Sequence, residues 1–100
     1  MTMDVQPEAI DLSAVTESGI SASMGASAAA ASAALCGVTP MGADADSLEF
    51  AVALNAAGAA YLGVTAEHAG QRVAYSGAQG LGAATYQTVD VISKSAFLTP

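Results

Sequence analysis

The 100-residue sequence predicts an all-α fold of two long antiparallel helices, a helical hairpin. Three observations carry this. The stretch from Gly37 to Asp46, Gly-Val-Thr-Pro-Met-Gly-Ala-Asp-Ala-Asp, concentrates strong helix breakers between two long runs of Ala, Ser and spaced aliphatics. A quarter of the chain is alanine, the best helix former. Apolar residues on both sides of the stretch recur at helical spacing.

The elements follow in order within one domain, residues 1–100. Met1 to Gln6 read as an extended or disordered leader. Pro7 suits the first helical position, where its missing N–H costs nothing, and Glu8 and Asp11 sit where the macrodipole favours acids. Helix 1 is expected from about 7 to 36. Leu12, Thr16, Ile20, Met24, Ala28, Ala31 and Leu35 form its apolar stripe, beside a stripe of small residues, Val15, Gly19, Ala22, Ala26, Ala29 and Ala33. Gly19 and Gly25 weaken the helix by about 1 kcal/mol each while permitting close approach of another helix. Gly37 fits a C-cap and Pro40 prevents resumption. The turn spans 37–46, where Asp44 or Asp46 can cap helix 2 and Asp46 with Glu49 resembles a capping box.

Helix 2, about 47–76 or longer, carries two apolar faces. One is Leu48, Val52, Asn55, Ala59, Leu62, Ala66, Ala69 and Val73. The other is Phe50, Leu54, Tyr61, His68 and Tyr75, the last four spaced by sevens. The faces are expected to point nearly opposite ways, so one packs on helix 1 and the other needs a partner. Gly77, Gly80 and Gly82 are expected to loosen the helix before a C-terminal tail, 77–100. If Cys36 and Asp46 face each other across the turn, Pro7 pairs with about Tyr75.

Composition narrows the function classes. The hydrophobic fraction is 53%, but only five residues are aromatic, so a thin core of small side chains buries little area. A hairpin of this size is marginal without a partner or self-association. The net charge of -7, nine acids against Arg72 and Lys94, disfavours nucleic acid and anionic membranes. The run from Ser21 to Leu35 is uncharged, but four serines and small side chains argue against a membrane span. The N-terminus has Asp4 and Glu8 where a Sec signal peptide carries positive charge.

Cys36, the single cysteine, reads as a small buried or half-buried residue, and with His68 it is too little for structural zinc. No cofactor or metal is expected. A hairpin offers no evident cavity for a catalytic triad, so enzymatic chemistry finds little support. His68, on the Tyr61/Tyr75 stripe, fits an interface better than a catalyst. Tyr86 and Asp90, four apart, share a helix face that a receptor can read together.

Pro7-Glu8, the Ala-rich first helix, Thr39-Pro40 followed by Ala43-Asp44 and Ser47, and the late Tyr86-x-x-x-Asp90 together resemble the PE family of mycobacterial type VII (ESX) secretion substrates. The phrases Ala-Leu-Asn-Ala-Ala-Gly-Ala-Ala-Tyr-Leu-Gly-Val and Ala-Glu-His-Ala resemble a short member encoded within an ESX locus. The resemblance implies that the hairpin forms half of a four-helix bundle with a PPE protein, an obligate heterodimer. It implies that Tyr86 and Asp90 form a targeting signal read by the secretion machinery, including its ATPase, beside a Trp-x-Gly turn of the partner. An EspG-type chaperone then acts indirectly, through the PPE subunit. Phe50, Leu54, Tyr61, His68 and Tyr75 are the expected partner interface. The protein is expected to be made in the cytoplasm and exported to the cell envelope or surface, or secreted. The alternative is a self-associating helical structural or adaptor protein.

Overall fold

A computed structural model describes residues 2–99. Two helices make up the fold: α1, Pro7–Cys36, and α2, Ala45–Leu98. The chain is an all-α helical hairpin and belongs to two compact units, one of Met1–Ile20 with Arg72–Pro100, the other Ser21–Gln71. α1 begins and ends where the sequence predicts. Its start is closed by the Gln6 carbonyl, which accepts from the N–H groups of Ala9 at 3.0 Å and Ile10 at 3.3 Å.

α2 takes one of the two expected caps and the longer of the expected extents. Asp44 is its cap, since Oδ2 accepts the Ser47 N–H at 3.0 Å and Oδ1 accepts the Ser47 hydroxyl at 2.8 Å. The expected Asp46/Glu49 box is therefore replaced by Asp44/Ser47, and Asp46 lies in the first turn. At the other end the helix runs unbroken through Gly77, Gly80 and Gly82 to Leu98. Neighbours on both sides are good helix formers, and continued backbone hydrogen bonding outweighs a cost of about 1 kcal/mol per glycine.

Burial along each helix alternates by three and four. On α1 the covered positions are Pro7, Ile10, Ala14, Glu17, Ser21, Met24, Ala28, Ala31 and Leu35. On α2 they include Ala51, Asn55, Gly58, Leu62, Thr65, Ala69, Ser76, Gln79 and Ala83. This is the spacing of a coiled-coil seam, built here mainly from small and polar side chains. Of the expected α1 stripe, Met24, Ala28, Ala31 and Leu35 lie on the seam, whereas Leu12, Thr16 and Ile20, stepped by fours at about 40° of helix per step, lie off it. Leu12 is accordingly 68% exposed while Met24 is half-buried. The small stripe from Val15 to Ala33 faces solvent, and no group of this chain approaches Gly19 or Gly25.

In the unit of residues 1–20 and 72–100, polar contacts set the register. Ser76 donates its hydroxyl to the Ala14 carbonyl at 2.7 Å, Gln79 Nε2 donates to Ser13 Oγ at 2.8 Å, and Arg72 meets Glu17 at 2.9 Å. Counting seven residues back from Ala14 and seven on from Ser76 pairs Pro7 with Ala83, both buried. Pro7 therefore does not lie beside Tyr75. The stretch of α2 past Ala83 extends beyond the start of α1, about 22 Å of helix at 1.5 Å per residue.

In the unit Ser21–Gln71, the Ser21 hydroxyl donates to the Ala69 carbonyl at 2.8 Å. Gly58 lies against the Leu35 carbonyl so closely that a Cβ there would collide with it. Beyond Leu35 the chain is pinned by Asn55, whose Oδ1 accepts the Val38 N–H at 2.8 Å and whose Nδ2 donates to the Val38 carbonyl at 3.1 Å. The first turns of α2 thus run past the end of α1 beside the loop, which is why Cys36 does not face Asp46. Among the described residues no glycine has positive φ, so α1 ends without a left-handed cap at Gly37. Gly37 is needed for space instead, because a Cβ there would stand 2.5 Å from the Ala33 carbonyl.

The core is as thin as composition implies. Among the described residues the buried aliphatic side chains are those of Ala14, Ala51 and Ala83, and Cys36, expected to be at least half-buried, is exposed. By length and composition alone both helices could cross a membrane, each reaching a mean hydropathy of 1.3 over an 18-residue window. Much of that hydropathy comes from alanine, which contributes little per residue to insertion compared with Leu or Ile.

The close approach at Gly58 is testable in thermal melts of the full chain followed by circular dichroism. Gly58→Ala is expected to cost ~1–3 kcal/mol, because backbone must shift to relieve the collision. Gly63→Ala, where a Cβ meets open space, is expected to gain about 0.4–1 kcal/mol through the unfolded chain.

Candidate functional site

Leu54, Tyr61, His68 and Tyr75 each immediately precede a seam residue, Asn55, Leu62, Ala69 and Ser76. One residue is 100° of helix, so within the unit Ser21–Gln71 Leu54, Tyr61 and His68 form a line about a quarter turn from the seam rather than opposite it, and in the other unit Tyr75 stands the same quarter turn from Ser76. All four are exposed, Tyr61 at 60%, as is Phe50. On the other flank of the seam, Val52 and Val73 are exposed at 69% and 54%, although they were expected to pack on helix 1. Of that expected face, Asn55, Leu62 and Ala69 turn inward. Both flanks of the seam on α2 are therefore apolar and open.

The side chains that hold the hairpin escaped a hydrophobicity-based search because they are polar. Glu17, Ser21, Asn55, Ser76 and Gln79 all occupy covered positions. Their signal in the sequence is the three-four alternation of small or hydrogen-bonding residues, which aliphatic spacing alone does not show. Gln79 Oε1 is buried without a hydrogen-bond partner, the one such side-chain atom among the described residues.

Tyr86 and Asp90 lie on the part of α2 that extends past α1. Continuing the alternation from Gln79 and Ala83 leads to residues 86 and 90, so the two share the face that α1 covers further up the helix. Tyr86 is 40% exposed and Asp90 is exposed. Thr85 and Thr88 return their hydroxyls to the Leu81 and Ala84 carbonyls at 2.8 and 2.9 Å, leaving the neighbouring surface largely apolar.

At the turn, Asp44 is held below the usual aspartate range by the Ser47 hydroxyl and the Ser47 N–H, both of which favour the charged carboxylate. Among the described residues no group of three His, Cys, Asp or Glu side chains is placed to hold a metal. A surface of these shapes and charges can bind protein along long apolar lines.

A family model described as the PE family matches residues 3–93. No curated protein and no solved structure matches the chain.

The cap gives a pH dependence of definite sign. Asp44 has a lowered folded-state pKa, so its contribution is present above the ordinary aspartate value and is lost as pH falls through the folded one. Amide exchange at Ser47 is expected to rise, relative to its intrinsic rate, as pH drops through the acidic range. In Asp44→Asn that acid-dependent rise should disappear.

Proposed function

The chain belongs to the PE family, and from that premise we propose that it is the PE subunit of a heterodimer with a PPE protein, exported by a type VII (ESX) secretion system. Family membership implies a protein partner in general. The observation that carries the more specific proposal is the line Leu54, Tyr61 and His68 of the unit Ser21–Gln71, exposed and about a quarter turn from the α1 seam. In a four-helix bundle each helix meets two neighbours in directions roughly at right angles. α1 supplies one neighbour of α2, and a partner helix on this line supplies the other. The partner also makes up for a core whose buried apolar side chains are alanines.

Tyr86 and Asp90 serve as the targeting signal, on a helical extension where α1 leaves their face open. The PPE subunit, rather than this chain, carries the contact to an EspG-type chaperone, and the secretion ATPase reads the assembled substrate. Synthesis is cytoplasmic, and the destination is the envelope, the cell surface or the medium.

Co-expression with candidate PPE proteins tests the pairing. A soluble one-to-one complex is expected, and Leu54→Asp or Tyr61→Asp should abolish it, since each puts a charge into an apolar interface at a cost of several kcal/mol. A stable homodimer of the isolated chain would refute the pairing and favour self-association. Tyr86→Ala should leave the complex intact while its export, measured by fractionation of cells and medium, is lost. Loss of the complex in that variant would instead make Tyr86 structural.

A further inference from the structure

At the tip of the unit Ser21–Gln71 lies a hollow of about 330 Å³ between the loop and the first turns of α2. Val38, Pro40 and Met41 form one wall, and Phe50, Ala51 and Leu54 form the other. Both ends of the loop wall are fastened by hydrogen bonds. Asn55 holds the Val38 peptide from both sides, and Asp44 holds Ser47 through two bonds. A hollow of this size lies at the small end of ligand pockets, ~300–1,000 Å³, room for one large side chain rather than a folded segment.

Its electrostatic setting is one-sided. Asp46 lines the hollow, Asp44 and Glu49 are close in sequence, and the stretch Ser21–Gln71 contains no Lys or Arg. Asp44 is stabilised in its charged form by Ser47. An apolar group entering here therefore meets an acidic rim with no cation from this unit to neutralise it. Leu54 belongs both to the hollow and to the exposed line that continues through Tyr61 and His68 within the same unit.

We propose that the hollow is a socket for one large apolar side chain of the partner protein that covers the Leu54–His68 line, with a Lys or Arg adjacent to that residue in the partner's chain. Apolar burial in the socket supplies affinity, and the base against the Asp46 carboxylate at its rim supplies orientation. The socket thus favours partners whose helix ends in an apolar residue next to a base, and it rests on the heterodimer proposed above.

The test uses the full chain in complex with its PPE partner. Thr39→Trp fills the hollow from its rim and is expected to weaken binding about tenfold with helicity unchanged. Asp46→Lys is expected to weaken binding at low salt and to flatten the salt dependence that the wild-type complex shows. A benzophenone amino acid in place of Met41 should cross-link, on irradiation, to a partner peptide in which a Leu, Met or Phe lies within two positions of a Lys or Arg. If the complex forms but Thr39→Trp binds as tightly as wild type, or the cross-link maps to any other kind of sequence, the socket is refuted and the heterodimer stands. If no complex forms with the wild-type chain, the heterodimer fails and the socket with it. A Thr39→Trp chain that loses helicity leaves the decision to the Asp46→Lys salt dependence and the cross-link.

Discussion

Close approach of the two helix backbones is the constraint on which the rest of the structure depends. A serine hydroxyl is short, so the bonds from Ser21 to the Ala69 carbonyl and from Ser76 to the Ala14 carbonyl require the neighbouring helix to run near within each unit. Gly58 under the Leu35 carbonyl shows the same closeness without any side chain. Large residues on the seam would force the backbones apart, which accounts for alanine, glycine and serine at covered positions. Because small side chains bury little apolar area, register comes from polar contacts, with Glu17–Arg72 as an ion pair and Asn55 clamping Val38. Such contacts tell one register from another more than they add stability, as single polar residues do in coiled coils.

That economy has a cost in completeness. With alanines as the buried aliphatic side chains among the described residues, the hairpin leaves Phe50, Tyr61 and Tyr75 in solvent. An apolar surface of this extent marks an interaction site in a soluble protein. Its placement a quarter turn from the seam matters as much as its extent. A line directly opposite α1 would let a third helix add to a flat layer, whereas a line on the flank suits closure into a bundle.

The helices themselves were legible in the sequence, because Pro7 and Pro40 act locally through φ and missing donors, and Gly37 marks the end of α1. The seam was not. In α1 a run of apolar residues stepped by four attracts attention, yet it precesses around the helix and takes Leu12 and Ile20 out to solvent. The true line contains Glu17 and Ser21, which hydrophobic periodicity discards. The exposure of Leu54, Tyr61, His68 and Tyr75 did follow from their spacing by sevens, but their angle to α1 required knowing which residues α1 covers. The turn left its cap open for a similar reason: whether Asp44 or Asp46 caps α2 depends on the path of the loop, which Asn55 pins at Val38. The glycines before Tyr86 misled because intrinsic cost is a weak guide once a long helix is already nucleated.

The unbroken passage of α2 through Gly77, Gly80 and Gly82 makes azimuth a transmitted quantity. In a continuous helix, the compass direction of Tyr86 and Asp90 is tied to that of Ser76 and Gln79 residue by residue, 100° at a time. A flexible joint at the glycines would let the pair swivel and be read from any side. With a rigid one, adding or removing a single residue between Ala83 and Tyr86 turns the pair to a different side of the molecule, whereas a change of seven nearly restores its heading. Length in this segment is thus constrained modulo a heptad, and the composition of the intervening residues is constrained far less.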